Sequence, residues 1–94
     1  MSDSQTIWSI LWDHARTEDG PFEIDDVVPA VAKALGMADA SAHRAITSLI
    51  DELDRMPDGR QYFDTCGDAA VPLPEFREAV AKGKAATETY PYEL

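Results

Sequence analysis

The chain has very little cysteine, few lysines and no long run of apolar residues. Its single cysteine, Cys66, excludes an internal disulfide and fits a reducing compartment. No apolar run approaches the roughly 20 residues that cross a bilayer, so no membrane association is expected. The opening Met-Ser-Asp-Ser has neither the positive charge nor the apolar core of a secretory signal. Together these absences predict a cytoplasmic location.

Acidic residues dominate the charge. Eighteen Asp and Glu residues stand against eight Lys and Arg residues, which gives a net charge of −10 at pH 7. Such a chain is repelled by DNA at long range and is attracted to basic partners. An acidic surface also keeps a protein in solution, so the charge alone does not specify a function. With 45% apolar residues, the 94-residue chain has the composition of one globular domain.

Two helices joined by a short turn form the clearest pattern in the sequence. From Ser41 to Met56, apolar residues recur every three or four positions: Ala42, Ala45, Ile46, Leu49, Ile50, Leu53 and Met56. The preceding stretch repeats this spacing from Ile24 to Leu35. Gly36 suits a left-handed helix end, and Asp39 or Ser41 suits the next N-cap. We expect one core made by these stripes: Leu49, Ile50 and Leu53 against Ile10, Leu11, Val28 and Val31.

N-cap residues and an alternation of apolar and polar residues predict the elements at and before the start of the first of these two helices. Ser4 is expected to cap a helix from Gln5 to Arg16, and Phe22-Glu23-Ile24 to form a short strand. Asp25 or Asp26 would cap the following helix. Pro29 would then fall in its first turn, where a missing N–H costs little.

The C-terminal part predicts a hairpin and one more helix. Strand-forming residues run from Gln61 to Cys66, Gly67-Asp68 is a hairpin turn, and residues 69–73 return. Since Pro72 cannot donate to a ladder, we expect that strand at an edge. Pro74 opens a short helix that ends before Gly83. We therefore expect a single domain over residues 1–83 and a flexible tail over residues 84–94.

This order of elements resembles that of the winged helix-turn-helix superfamily, over about Thr6 to Phe76. The resemblance implies a mainly α, α+β fold: a three-helix core, a short strand joined to the hairpin, and the hairpin as a wing. A short C-terminal helix follows. A plain helical bundle carrying a hairpin is the other fold that fits the pattern. The resemblance further implies a DNA-recognition helix over Ser41–Met56, with these candidate contacts to DNA or another partner: Ser41, His43, Arg44, Thr47, Ser48 and, near the wing, Arg60 or Gln61.

The charge of this region opposes DNA binding. From Ile24 to Phe76 there are four bases (Lys33, Arg44, Arg55, Arg60) and ten acids (Asp25, Asp26, Asp39, Asp51, Glu52, Asp54, Asp58, Asp64, Asp68, Glu75). A DNA-binding module commonly makes on the order of 6–10 phosphate contacts. We therefore expect a module for protein–protein interaction in regulation, with a basic partner. A DNA-binding transcriptional regulator is the alternative, and an acidic mimic of DNA is a minor one.

Nothing in the sequence indicates an enzyme, a cofactor or a metal site. His14, His43 and Cys66 lie too far apart in sequence for the paired ligands of a structural zinc site. There is no glycine-rich phosphate loop and no Gly-x-Ser-x-Gly. We expect a non-enzymatic protein without cofactor or metal.

The first predicted helix carries more apolar surface than one core requires. Trp8, Trp12 and Ala15 flank the stripe of Ile7, Ile10 and Leu11, and the apolar arc spans roughly 200°. Exposed indoles would form a patch that soluble monomers avoid. We therefore expect one of three covers for Trp8, Trp12 and Ala15: a second copy in a homodimer, the C-terminal segment around Phe76, Val80 and Tyr90, or a different protein.

Overall fold

The computed structural model describes residues 2–18, 20–54 and 61–89. In these ranges the elements are α1 (Asp3–Thr17), β1 (Phe22–Glu23), α2 (Val28–Leu35), α3 (Asp39–Asp54), β2 (Phe63–Cys66), β3 (Ala69–Pro72), α4 (Pro74–Ala81) and α5 (Ala86–Thr89). A 3-10 turn, Ile24–Asp26, connects β1 to α2. The prediction of a mainly α, α+β fold with a hairpin is confirmed.

The first helix begins two residues earlier than predicted. Ser2, and not Ser4, is the N-cap of α1: its hydroxyl accepts a hydrogen bond from the Gln5 amide at 3.2 Å. The Gln5 side chain accepts one in return from the Ser2 amide, also at 3.2 Å. This reciprocal capping box satisfies two amides that the helix itself leaves unpaired. At the other end α1 continues to Thr17, one residue beyond the predicted Arg16.

The helix–turn–helix is formed by α2 and α3. Asp25 and Asp26 do not cap α2 as predicted; they lie in the 3-10 turn, and Val27 occupies the N-cap position. That turn places Ile24 in the core, with 0% of its surface exposed. Pro29 lies in the first turn of α2, as expected. The start of α2 therefore follows the burial of Ile24 and Val27. The preference of aspartate for an N-cap position does not determine it.

The turn between the two helices depends on Gly36. Its φ of 64° and ψ of 41° are left-handed, so the predicted helix end is confirmed. The next helix starts at Asp39, two residues before Ser41, and Asp39 lies in its first turn. A carboxylate at that position is favoured by the positive end of the helix dipole. The predicted end of the helix at Met56 lies outside the described residues.

The three strands form one antiparallel sheet in the order β1-β3-β2, so β3 is central. The prediction that Pro72 marks an edge strand is therefore wrong. The Leu73 amide donates to the Tyr62 carbonyl at 2.9 Å. Because successive strand amides point to opposite sides, the nitrogen of Pro72 faces away from β2. On that side β1 pairs only with Ala69 and Ala70, so it does not reach Pro72.

The core lies between α1, α2, α3 and the sheet. The predicted stripe of α3 is buried, with Leu49 3% exposed, Ile50 2% and Leu53 7%. Of their predicted partners, Leu11, Val28 and Val31 are buried and Ile10 is half-buried. The predicted burial is thus confirmed for Leu49, Ile50, Leu53, Leu11, Val28 and Val31, whereas Ile10 and, in the α3 stripe, Ala45 are only half-buried. Met56 lies outside the described residues.

The packed structure continues past Gly83, where the sequence placed the end of the domain. Leu73 is the N-cap of α4, and Pro74 is in its first turn, as predicted. After Gly83, which has a φ of 75°, the chain forms α5. Ala86 and Thr89 are buried, and Ala86 belongs to the core. Residues 86–89 are therefore part of the domain and not of a flexible tail; residues 90–94 lie outside the described chain.

Candidate interaction surface

Three of the predicted contact residues form an exposed row on α3. Ser41, Arg44 and Ser48 are exposed, and their spacing of three and four residues puts them on one helix face. Thr47 is half-buried, and its hydroxyl donates a hydrogen bond to the His43 carbonyl at 2.9 Å. Arg60 lies outside the described residues. Ser41, Arg44 and Ser48 are thus available to a partner, while the Thr47 hydroxyl is already engaged in the helix.

His43 connects three separate elements. Its Nε2 atom lies 3.6 Å from Oδ1 of Asp68, in the hairpin turn, and 3.9 Å from Oδ1 of Asp25, in the 3-10 turn. The imidazole is one-third exposed, and both carboxylates are largely exposed. The convergence places the turn of the hairpin beside the N-terminal half of α3. The sequence indicates His43 as a contact residue but gives no signal for its two aspartate neighbours, because they are distant in sequence.

A shallow depression adjoins His43, between the first turns of α2 and α3. Val28, Pro29 and Ala40 line it together with His43 and two carboxylates, Asp25 and Asp39. The apolar residues offer a surface for an aliphatic chain, and the carboxylates lie where a cation would be favoured. We call His43, Asp25, Asp39 and Asp68 the α3 face. At about 100° per residue, the row of Ser41, Arg44 and Ser48 lies roughly 100–160° from His43 around the helix.

The charge of the α3 face is opposite to that of a typical DNA-binding surface. Arg44 is the one arginine of α3, which carries four acids: Asp39, Asp51, Glu52 and Asp54. The hairpin adds exposed carboxylates at Asp64 and Asp68. A phosphate backbone brought to this face would meet mainly negative charge.

The residues predicted for self-association are inside the chain. Trp8 is 2% exposed, Trp12 0% and Ala15 1%. The Trp12 ring packs 4.6 Å from that of Phe76 and 5.4 Å from that of Tyr62, measured between centroids. Trp8 contacts Phe63 at 5.5 Å. A homodimer through Trp8, Trp12 and Ala15 is therefore incompatible with this packing. The alternative of cover from within the chain is the one observed, with Phe76 as predicted and with α5 in addition.

Other reactive groups do not assemble around a common point. Within residues 2–18, 20–54 and 61–89, no three His, Cys, Asp or Glu side chains converge to hold a metal ion. Cys66 is exposed near the hairpin turn. His14 packs its ring 4.8 Å from Phe22, and its Nε2 lies 3.8 Å from Glu18. His14 thus has a packing role at the end of α1.

Helices in the described ranges lack the length and apolar character needed to cross a membrane. Comparisons of the chain with protein-family profiles, with curated proteins and with solved structures give no match.

Proposed function

We propose that the chain is a non-enzymatic, winged-helix-like module that binds a basic segment of another protein through the α3 face, in a regulatory role. The observation that carries this proposal is the position of His43 between Asp25 and Asp68, at 3.9 Å and 3.6 Å. Through these contacts, the carboxylates of Asp25 and Asp68 lie beside α3. The resemblance to the winged helix-turn-helix superfamily implies that α3 is the recognition helix. A cationic partner would find complementary charge where a DNA-binding protein needs cations.

The shape of the α3 face supports a lysine or arginine as the recognised side chain. The depression beside His43 has apolar walls at Val28 and Pro29 and carboxylates at Asp25 and Asp39. Lysine and arginine bury an aliphatic stem while they keep the charged head in contact with water or acids. One such residue of the partner could thus pack its stem against Val28 and Pro29 and direct its charge to the carboxylates.

The alternative function is a DNA-binding regulator that uses α3. The element order and the exposure of Ser41, Arg44 and Ser48 favour it. The four acids of α3 oppose it, because affinity for DNA comes largely from cations that displace counterions at phosphates. In a third reading the acidic surface imitates DNA and captures a DNA-binding protein. Like the protein-interaction module, a DNA mimic would bind a basic partner. A homodimer would require a surface other than the buried tryptophans.

Capture from native lysate with matched variants tests the proposal. The test variant is Asp25→Asn/Asp68→Asn, which neutralises the two carboxylates beside His43. The control is Asp13→Asn/Glu75→Gln, which removes the same charge from exposed positions on α1 and α4. We expect the wild type and the control to retain a basic protein that elutes with added salt, and the test variant to lose it. Equal capture by both variants would refute a role for the α3 face.

A further inference from the structure

A second cleft lies away from the α3 face, where the C-terminal end of α1 meets α4. Its floor is apolar and is formed by Ala15, Pro72, Phe76 and Val80, and its volume is about 250 Å³. Ala15, Pro72 and Phe76 are buried. Three of the four floor residues therefore belong to the close-packed interior, and Val80 is half-buried.

Two arginines stand at the rim of this cleft. Arg16, in the last turn of α1, and Arg77, on α4, line it and are exposed, and Glu18 contributes one opposing carboxylate. In the part of the chain that the structure describes, neither guanidinium has a carboxylate within salt-bridge distance. Two of the eight bases of a chain with a net charge of −10 thus flank one apolar floor. The cleft is a local exception to the charge of the molecule.

We propose that this cleft binds a small monocarboxylate with an apolar body. A guanidinium is a planar fork that matches the two oxygens of a carboxylate, so Arg16 and Arg77 would hold the charged end. The apolar body would lie on Phe76 and Val80. The cleft, with a volume of about 250 Å³, has room for a small organic acid.

The charge of the whole chain selects a monoanion over a polyanion. Each further negative charge on a ligand is repelled by a protein of net charge −10, whereas the described lining of the cleft supplies two cations, Arg16 and Arg77, beside Glu18. The apolar floor likewise gives a free phosphate nothing to pack against. An aromatic or short aliphatic carboxylic acid satisfies both ends of the site.

The fluorescence of Trp12 should report ligand binding in this cleft. Phe76 lines the cleft, and its ring lies 4.6 Å from the Trp12 ring, measured between centroids. A ligand that packs on Phe76 changes the surroundings of the buried indole. Titration with 3-phenylpropionate, followed by tryptophan fluorescence and by amide shifts of Ala15 and Val80, measures the affinity. The uncharged probe 3-phenylpropanol has the same apolar body and lacks the carboxylate.

The proposal predicts that the acid binds and that the alcohol binds about tenfold more weakly or worse. Arg16→Gln/Arg77→Gln should reduce the affinity for the acid to that for the alcohol. Lys33→Gln/Lys84→Gln, which removes the same charge from positions outside the lining of the cleft, should leave it unchanged. Ala81→Phe keeps both arginines and fills the wall of the cleft, so it should abolish binding of both probes.

Circular dichroism checks that each variant is folded. Equal binding of acid and alcohol, an undiminished affinity in the arginine variant, or no binding by the wild type would each overturn the proposal.

Discussion

The indole N–H of Trp8 donates a hydrogen bond to Oγ1 of Thr89 at 3.2 Å and thereby joins the first helix to the last. Thr89 is 6% exposed and sits on α5, a helix of only four residues. Such a short helix has little stability of its own and depends on tertiary contacts. Within the described residues, this hydrogen bond joins α5 to α1, and the burial of Ala86 anchors α5 in the core.

Removal of the Thr89 hydroxyl should therefore cost stability. Thr89→Val keeps the shape of the side chain and loses the acceptor, and we expect a loss of about 1–2 kcal/mol in the free energy of unfolding. Thr87→Val, on the exposed side of the same helix, is the matched control and should change it by less than about 0.5 kcal/mol. Urea denaturation of both variants measures the difference. Equal effects at positions 87 and 89 would mean that the Trp8 contact contributes nothing.

Leu49 tests the orientation of α3. Its side chain is 3% exposed within the core, so Leu49→Ala should lower the free energy of unfolding by about 2–5 kcal/mol through lost burial and a residual cavity. The neighbouring Ser48 is exposed, and Ser48→Ala should stay within about 0.5 kcal/mol of wild type. Chemical denaturation gives both values. A loss below about 0.5 kcal/mol for Leu49→Ala would contradict the packing described.

Gly36 tests the turn between α2 and α3. At a φ of 64° a β-carbon is strained, and Gly36→Ala should cost about 1–2 kcal/mol. Gly36→Asn should cost less, because asparagine tolerates the left-handed conformation better than alanine does. No atom lies within 4 Å of the added β-carbon, so the backbone and not a clash is the cause. Thermal unfolding ranks the three proteins. A Gly36→Ala variant that unfolds at the same temperature as Gly36→Asn, or at a higher one, would contradict a left-handed Gly36.

The two tryptophans should behave as core residues and not as an interface. Trp8→Glu/Trp12→Glu inserts two charges where the exposed fractions are 2% and 0%, so we expect the chain to unfold. Circular dichroism should show loss of helix, and sedimentation should show an expanded chain. A folded and stable double variant would instead place the indoles at a surface that another chain covers.

Much of the architecture could be predicted from local patterns. The apolar stripe of α3, the left-handed Gly36 and the hairpin turn at Gly67-Asp68 depend on residues close in sequence, and all three appear in the structure. The start of α1 was also readable, since Ser2 and Gln5 have the spacing of a capping box. Ser4 fits the N-cap preference on its own, but the residue three positions later is Ile7, which cannot return the hydrogen bond that Gln5 returns to Ser2.

The remaining features depend on contacts between distant residues. The sequence of α5 has no periodic apolar residues that would predict a helix. Its contact with α1 includes the hydrogen bond from Trp8 to Thr89, which is distant in sequence. The width of the apolar arc on α1 indicates that Trp8 and Trp12 need a cover, but it cannot say whether that cover comes from the same chain. Pro72 was placed at an edge by its missing amide, whereas its direction within β3 depends on the register with Phe63. The approach of Asp25 and Asp68 to His43 likewise follows from tertiary structure alone.

The central claim is that the α3 face binds a basic protein segment and not DNA. Its most direct measurement is a pair of fluorescence anisotropy titrations at physiological salt, one with a labelled Lys- and Arg-rich peptide and one with a labelled random DNA duplex. We predict binding of the peptide and negligible binding of the duplex, because like charge opposes the approach of DNA. Asp25→Asn/Asp68→Asn should weaken the peptide complex about tenfold, while Asp13→Asn/Glu75→Gln should not. Salt-sensitive binding of the duplex that is lost in Arg44→Ala, or equal peptide affinities for the two acid variants, would contradict the claim.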